Sequence, residues 1–228
     1  RPTYNTKENR FVRAEYYMRM FVKDIGMVGS AEFVPIAEDT GQISSVEYYA
    51  LGQVAREIAE LEKQGIAYES IAVPVSPVLL IQENFVDTVQ SMIEKYQIPS
   101  GKLAVEIDEY ALTTTPVIIE IVMQQLKDLG VELILNNFGS GYSGISKILE
   151  LPVDTLKFER MFMWQLETNQ KSEPIVECLI KAADKLGKRL IAEGVETQRQ
   201  LDILAKFGCE YQQGYYYAPT IPKELLAD

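Results

Sequence analysis

Residues 122–137 read VMQQLKDLGVELILNN, and the fold turns on this stretch. Apolar residues at helical spacing run up to Leu129. Gly130 then stops the helix, because glycine accepts the left-handed backbone that closes a helix C-terminus. A β-rich run follows at once and ends in two polar residues, Asn136 and Asn137. The unit recurs, with Gly65 ahead of a run at 70–75, Gly187 ahead of 189–192, and Gly208 ahead of 209–217. Alternating helices and strands mean parallel βα units. The pattern predicts strands at 11–20, 70–75, 103–107, 131–136, 155–158, 189–192 and 211–217, with one more around 1–4. Helices are expected at 45–64, 115–129, 172–186 and 198–207, the last capped by Thr197. Eight strands in 228 residues predict an α/β fold of the (β/α)8 TIM-like barrel type, with a doubly wound open sheet as the alternative. No linker-like stretch interrupts 1–228, which reads as one domain. A start at Arg1 without methionine reads as a piece of a longer, multidomain signalling protein.

Composition removes several function classes. Lys and Arg total 22 against 33 Asp and Glu, a net charge of -11, which weighs against a nucleic-acid partner. The absence of histidine excludes Ser-His-Asp and Cys-His catalysis and His-containing zinc sites. Two cysteines, Cys178 and Cys209, cannot form a four-cysteine metal site or a disulfide framework, and the simplest compartment is the cytoplasm. No apolar run approaches the ~20 residues of a membrane span, so no membrane contact is expected of this domain.

Several expected strands carry polar groups near their C-terminal ends: Glu106, Asn136-Asn137, Lys157, Glu193 and Gln212-Gln213, with Glu15 inside the first long strand. In a barrel these ends converge on the face where active sites lie. Buried charges are costly unless paired or bound to a ligand or metal, so the set together points to a site. Taken singly, each residue is explained by solvation or by Lys157 neutralising Glu106 and Glu193. Gly139-Ser140-Gly141-Tyr142-Ser143-Gly144 fits a dinucleotide-binding fingerprint on paper, with Glu159 about 20 residues beyond. The helix after it has room only for about 144–149 before Pro152, too short for a dinucleotide-binding crossover. The segment reads instead as a glycine-rich loop over the barrel mouth.

The motifs Ala31–Gly41 (AEFVPIAEDTG), Leu151–Lys157 (LPVDTLK), Ala192–Thr197 (AEGVET) and Gln213-Gly214-Tyr215 resemble, in this order, the EAL-domain family of cyclic-di-GMP phosphodiesterases. The resemblance covers nearly the whole chain. It implies a barrel with one antiparallel strand near its start, and two Mg2+ or Mn2+ ions that activate a water. It also implies metal ligands at Glu15 and Glu106, a water-orienting lysine at Lys157 and a further acid at Glu193. Nucleotide-binding positions would be Arg19, Glu109 and Gln213, with Arg19 on the strand of Glu15 and Glu109 supporting a loop.

The chain departs from that pattern. The signature Glu-Ala-Leu reads Glu15-Tyr16-Tyr17, an asparagine ligand falls at Pro74, and the aspartate pair that holds both metals is Asn136-Asn137. An aspartate after the lysine is Glu159, and an expected arginine is Pro219. Mg2+ prefers anionic oxygens in near-octahedral geometry, and two-metal hydrolysis needs both ions. Three losses in one metal cluster therefore weigh against turnover and against tight metal binding. The expectation is a degenerate regulatory or scaffold module with weak or no nucleotide binding. Alternatives are a cyclic-di-GMP receptor without hydrolysis and an active phosphodiesterase. A protein partner or homodimer is expected, with Tyr16-Tyr17, Tyr48-Tyr49 and Tyr215-Tyr216-Tyr217 as aromatic anchors or as core.

Overall fold

The computed structural model describes residues 1–141, 147–222 and 225–226. Its strands are β1 (Pro2–Asn5), β2 (Arg10–Glu15), β3 (Arg19–Val22), β4 (Gly26–Gly29), β5 (Ser70–Val75), β6 (Leu103–Asp108), β7 (Glu132–Phe138), β8 (Thr155–Phe158), β9 (Arg189–Glu193) and β10 (Tyr211–Gln213). Among the described residues, eight of them close into a barrel in the order β1-β10-β9-β8-β7-β6-β5-β2, leaving β3 and β4 as a separate hairpin. β1 runs antiparallel to both of its neighbours, and the other barrel pairs are parallel. The helices are α1 (Ser30–Asp39), α2 (Ile43–Gln64), α3 (Pro77–Leu80), α4 (Phe85–Tyr96), α5 (Pro116–Asp128), α6 (Lys147–Glu150), α7 (Arg160–Thr168), α8 (Glu173–Lys185) and α9 (Gln198–Phe207).

The expected barrel forms, and for the expected reasons. Gly65 and Gly208 end α2 and α9 at φ 69 and 82, backbone that residues with a Cβ rarely adopt. Thr197 caps α9 and shares a capping box with Gln200, which satisfies otherwise orphaned N–H groups. The large apolar layer lies between the strands and the helices, with Val73, Val105, Leu133, Leu135, Leu156 and Ala192 facing outward into it. Inside the barrel the apolar plug is small: Ala72, Ala104 and Ile134.

Two strands differ from expectation. The run 11–20 is not one strand. The chain leaves the barrel after Glu15, and Arg19 opens the β3–β4 hairpin, paired with Gly29. Arg19 is therefore not on the strand of Glu15. The run 211–217 stops at Gln213, because the chain turns at Gly214 to bond Val195: Tyr216 N–H donates to Val195 O. The hairpin, α1, α4 and α7 were not foreseen. Of the glycine-rich motif, residues 142–144 lie outside the described residues, and the helix that follows is the four-residue α6.

Candidate functional site at the barrel mouth

Side chains two apart along a strand share a face. Directly above the plug of Ala72, Ala104 and Ile134 the same faces carry Pro74, Glu106 and Asn136. Lys157, Glu193 and Glu15 complete the layer from β8, β9 and β2. Glu15, Glu106, Lys157 and Glu193 are each at most 6% exposed.

Lys157 is the centre of the cluster. Its Nζ lies 2.6 Å from Glu15 Oε2, 3.0 Å from Glu106 Oε1 and 3.3 Å from Glu193 Oε2. Burial alone would discharge the ammonium, yet the three carboxylates outweigh it and hold the lysine charged, well above its ordinary range. Burial works against Glu15 too, but Lys157 wins there and keeps it below the usual carboxylate range. Glu106 is pushed up to about 8, first by burial and then by the neighbouring Glu15 charge, which together exceed the pull of Lys157. Three acids around one base thus share an unequal burden.

Arg1 adds a second cation that sequence reasoning missed. Its backbone continues the β1–β2 ladder beyond Pro2: Glu15 N–H donates to Arg1 O at 2.8 Å. Its guanidinium donates to Glu193 Oε1 at 3.0 Å and to the Tyr17 hydroxyl at 3.2 Å, and lies 4.5 Å above the Tyr17 ring. Arg160 Nε approaches Glu193 at 4.0 Å. The only available signal was the position of Arg1 one residue ahead of an antiparallel strand.

The positions where the resemblance leads one to expect ligands that the chain lacks have local explanations. Pro74 pairs in register with Glu106 and offers no side-chain oxygen. Asn136 and Asn137 sit where the β7–β8 register shifts. Asn137 has φ 52, left-handed backbone that asparagine tolerates better than most residues. Its Nδ2 donates to Asp108 Oδ2 at 2.5 Å, and its own N–H donates to Asn136 Oδ1 at 2.8 Å. The amides are thus engaged with the protein. Among the described residues, no group of three or more His, Cys, Asp or Glu is arranged to hold a metal ion. The donor set does not fit the paired cations that the resemblance implied.

The positions expected to bind nucleotide are scattered. Arg19 is exposed and lines a cleft of about 680 Å3 together with Arg1, Glu15, Tyr17, Met27 and Phe33. Glu109 is fully buried and does not line that cleft. Its Oε2 accepts from Gly139 N and Ser140 N at 3.1 Å and from Ser140 Oγ at 2.8 Å. The backbone N–H groups that a dinucleotide fingerprint would turn to phosphate are here turned to a glutamate. Gln213 lies inside the barrel, where its Nε2 donates to Thr3 Oγ1 at 3.3 Å. Its Oε1 is buried without a hydrogen-bond partner among the described residues, beside a void of about 10 Å3 shared with Glu106 and Lys157. Glu159 precedes α7, and Pro219 follows the barrel. Of the tyrosines, Tyr16, Tyr48 and Tyr217 pack on the core, while Tyr49, Tyr215 and Tyr216 are exposed.

A closed barrel whose strand ends carry a carboxylate–lysine cluster defines a class of α/β barrel proteins. The EAL domain family matches residues 1–220, and the chain belongs to that family. It is 30% identical over 203 residues to the cyclic di-GMP phosphodiesterase NbdA of Pseudomonas aeruginosa, covering 89% of this chain and 26% of NbdA. It is 27% identical over 223 residues to the signaling protein YkoW of Bacillus subtilis, covering 98% of this chain and 28% of YkoW. The chain thus spans little more than a quarter of the length of these relatives. Among solved structures it is similar to a PaMucR phosphodiesterase–c-di-GMP complex, with TM-score 0.93, 26% identity, and coverage of 99% of this chain and 91% of that one. The EAL domain of Mycobacterium smegmatis DcpA follows the same barrel, with TM-score 0.80, 26% identity, and coverage of 99% and 91%.

Proposed function

We propose that this chain is a non-hydrolysing EAL domain: a regulatory or scaffold module of cyclic-di-GMP signalling, working in the cytoplasm as one domain of a longer multidomain protein. One observation carries the reading. Where two-metal chemistry needs an asparagine oxygen and two anionic carboxylates, the chain presents Pro74 and two asparagines, and the Asn137 amide is committed to Asp108 at 2.5 Å. With neutral donors there, the acids that remain are bonded to Lys157, which then acts as a structural counter-ion. Output through a protein partner or a second copy follows, because a module without turnover signals only by contact. The relatives' greater length supports a multidomain setting.

The test is an assay of the purified domain with cyclic-di-GMP and Mn2+. The expected result is no linear product above a no-protein control. Accumulating product that disappears in the Glu106→Gln variant defeats the reading.

A second reading, a receptor that binds without cutting, is favoured by one observation: Arg1 and Arg19 both line the 680 Å3 cleft, where either guanidinium can meet a phosphate. Calorimetry with cyclic-di-GMP in EDTA separates the two. Saturable heat supports the receptor, and its absence supports the scaffold.

A further inference from the structure

The helical coat of the barrel carries an apolar ledge that nothing in the fold covers. Helix α5 packs against α3 and α4, and it meets α6 on the flank of Glu120, where Lys147 Nζ lies 2.9 Å from Glu120 Oε1. Its residues Ile119, Val122, Met123 and Leu126 are buried at the spacing of one helix face. The opposite face carries Val117, Ile118 and Ile121, which are 70, 48 and 55% exposed. Ile118 is two residues from Glu120, hence on nearly the opposite flank, toward α3. There Val78 and, one turn on, Ile81 are 41 and 44% exposed. Five branched aliphatic side chains thus line two packed helices. Single exposed apolar residues are ordinary, but a contiguous set rimmed by charge marks a contact site.

The charge around the ledge has one sign. Residues 76–94 and 103–126, which contain α3, most of α4 and most of α5, hold no Lys or Arg. Glu83 follows Ile81 directly and Asp87 lies in the first turn of α4; both are exposed, and neither forms an ion pair among the described residues. Glu120 is met by Lys147 from outside the ledge.

This pattern selects the occupant. A second copy would set the same acids against themselves, and an anionic lipid surface would meet the same repulsion. A helix whose apolar stripe is flanked by Lys and Arg gains twice: it buries the ledge and it pairs the acids. Two neighbouring helices also offer the shape that such a stripe fits, with anchors at i, i+3, i+4 and i+7.

We infer that the α3–α5 ledge is the docking site for a basic amphipathic helix of a partner protein. The inference deepens the scaffold reading, on which it rests for the need of a partner, and gives that partner a place on the barrel and a chemistry.

The test uses two dye-labelled helical peptides of about 18 residues with the same leucine stripe, one carrying Lys and the other Glu at the remaining positions. Each is titrated with the folded domain and read by fluorescence anisotropy. The Lys peptide is expected to bind saturably, one to one, and more weakly as salt rises, and the Glu peptide not to bind. Ile118→Ser with Ile121→Ser changes exposed positions and no charge, and is expected to weaken the Lys peptide about tenfold or more. Glu83→Gln with Asp87→Asn is expected to weaken it and to flatten its salt dependence. Ile175→Ser, at a 55% exposed position on α8, controls for diffuse attraction to an acidic chain and is expected to bind as the parent does. Absence of Lys-peptide binding, equal binding of both peptides, parent-like affinity in the Ile118 and Ile121 double variant, or an equal loss in the Ile175 variant each overturns the inference. So does self-association of the domain that the double variant abolishes, because the ledge then belongs to a second copy. Linear product in the cyclic-di-GMP assay defeats the non-hydrolysing reading without touching the peptide titration, and a failed titration leaves that assay unchanged, so the two failures are distinguishable.

Discussion

Glu47, on α2, is buried and, among the described residues, has no cationic partner. Its Oε1 accepts from Ser76 N at 2.8 Å and its Oε2 from Ser76 Oγ at 2.7 Å, while Ser76 Oγ accepts from Leu79 N to cap α3. Burial pushes its carboxyl from the ordinary 4.5 up to about 7. The Ser76 bonds oppose the shift, and the charge of Glu38 on α1 adds to it. The folded state therefore binds the proton more tightly than the unfolded chain does. Its contribution is fully present below about 4.5 and is lost as pH rises through about 7. Glu47→Gln keeps an acceptor for Ser76 and removes the charge. The expected outcome is a Tm gain over the parent at pH 8 that shrinks toward zero or reverses at pH 5, read by thermal unfolding at both pH values. An equal effect at both values would contradict it. At this scale the sequence was only partly informative. It located Glu15, Glu106, Lys157 and Glu193, because polar residues at the ends of apolar runs stand out. It missed Glu47, Arg1 and Asp108, and named Tyr17 only as an aromatic anchor or core residue, because their roles depend on partners distant in the chain.

At the scale of elements, the periodicity located β5 and β8 to the residue and β6, β7 and β9 within two residues of their ends. It failed where apolar residues run past the barrel. Residues 11–20 read as one strand because nothing local marks the exit after Glu15, which is set by β3 pairing with β4 instead. Likewise 211–217 reads as one tyrosine-rich run around Gln212-Gln213, yet β10 ends where Gly214 meets Val195. A Cβ on Gly214 would lie 2.1 Å from Val195 O and 2.4 Å from Val195 N, distances that only a backbone shift can relieve. Gly214→Ala is therefore expected to prise β10 from the segment after β9 and to destabilise the domain by more than the ~1–3 kcal/mol of ordinary overpacking. The expected readout is loss of the cooperative thermal transition or of soluble yield. A variant that melts within a degree of the parent would show that the turn can relax.

At the scale of the whole molecule, the end of the barrel opposite the mouth is tied by a second ion network. Glu132 Oε1, at the start of β7, accepts from Arg13 on β2 at 2.7 Å, Arg189 on β9 at 2.8 Å and Thr155 on β8 at 2.7 Å. Burial would raise the Glu132 carboxyl, but Arg13 and Arg189 outweigh it and hold it below the ordinary 4.5. A depressed carboxylate stabilises above that value and loses the contribution as pH falls through its folded value. Removing one partner of such a buried group leaves the others uncompensated, at about 3–5 kcal/mol. Glu132→Gln is expected to lower the urea midpoint by that measure at pH 7 and to flatten the loss of stability below pH 4.5. An unchanged midpoint would show that the network contributes nothing to barrel closure. What the sequence by itself determined was the repeating βα unit, hence the barrel, and the polar strand ends, hence the place of the site. Periodicity and helix stops are local properties, so a linear reading suffices for them. Only the tertiary structure decided that Arg19 leaves the strand of Glu15, that Asn137 turns to Asp108, and that Arg1 returns to Glu193. Each of these is a pairing between groups far apart in the chain, chosen by the cost of leaving a buried charge or amide alone, and no local pattern encodes that choice.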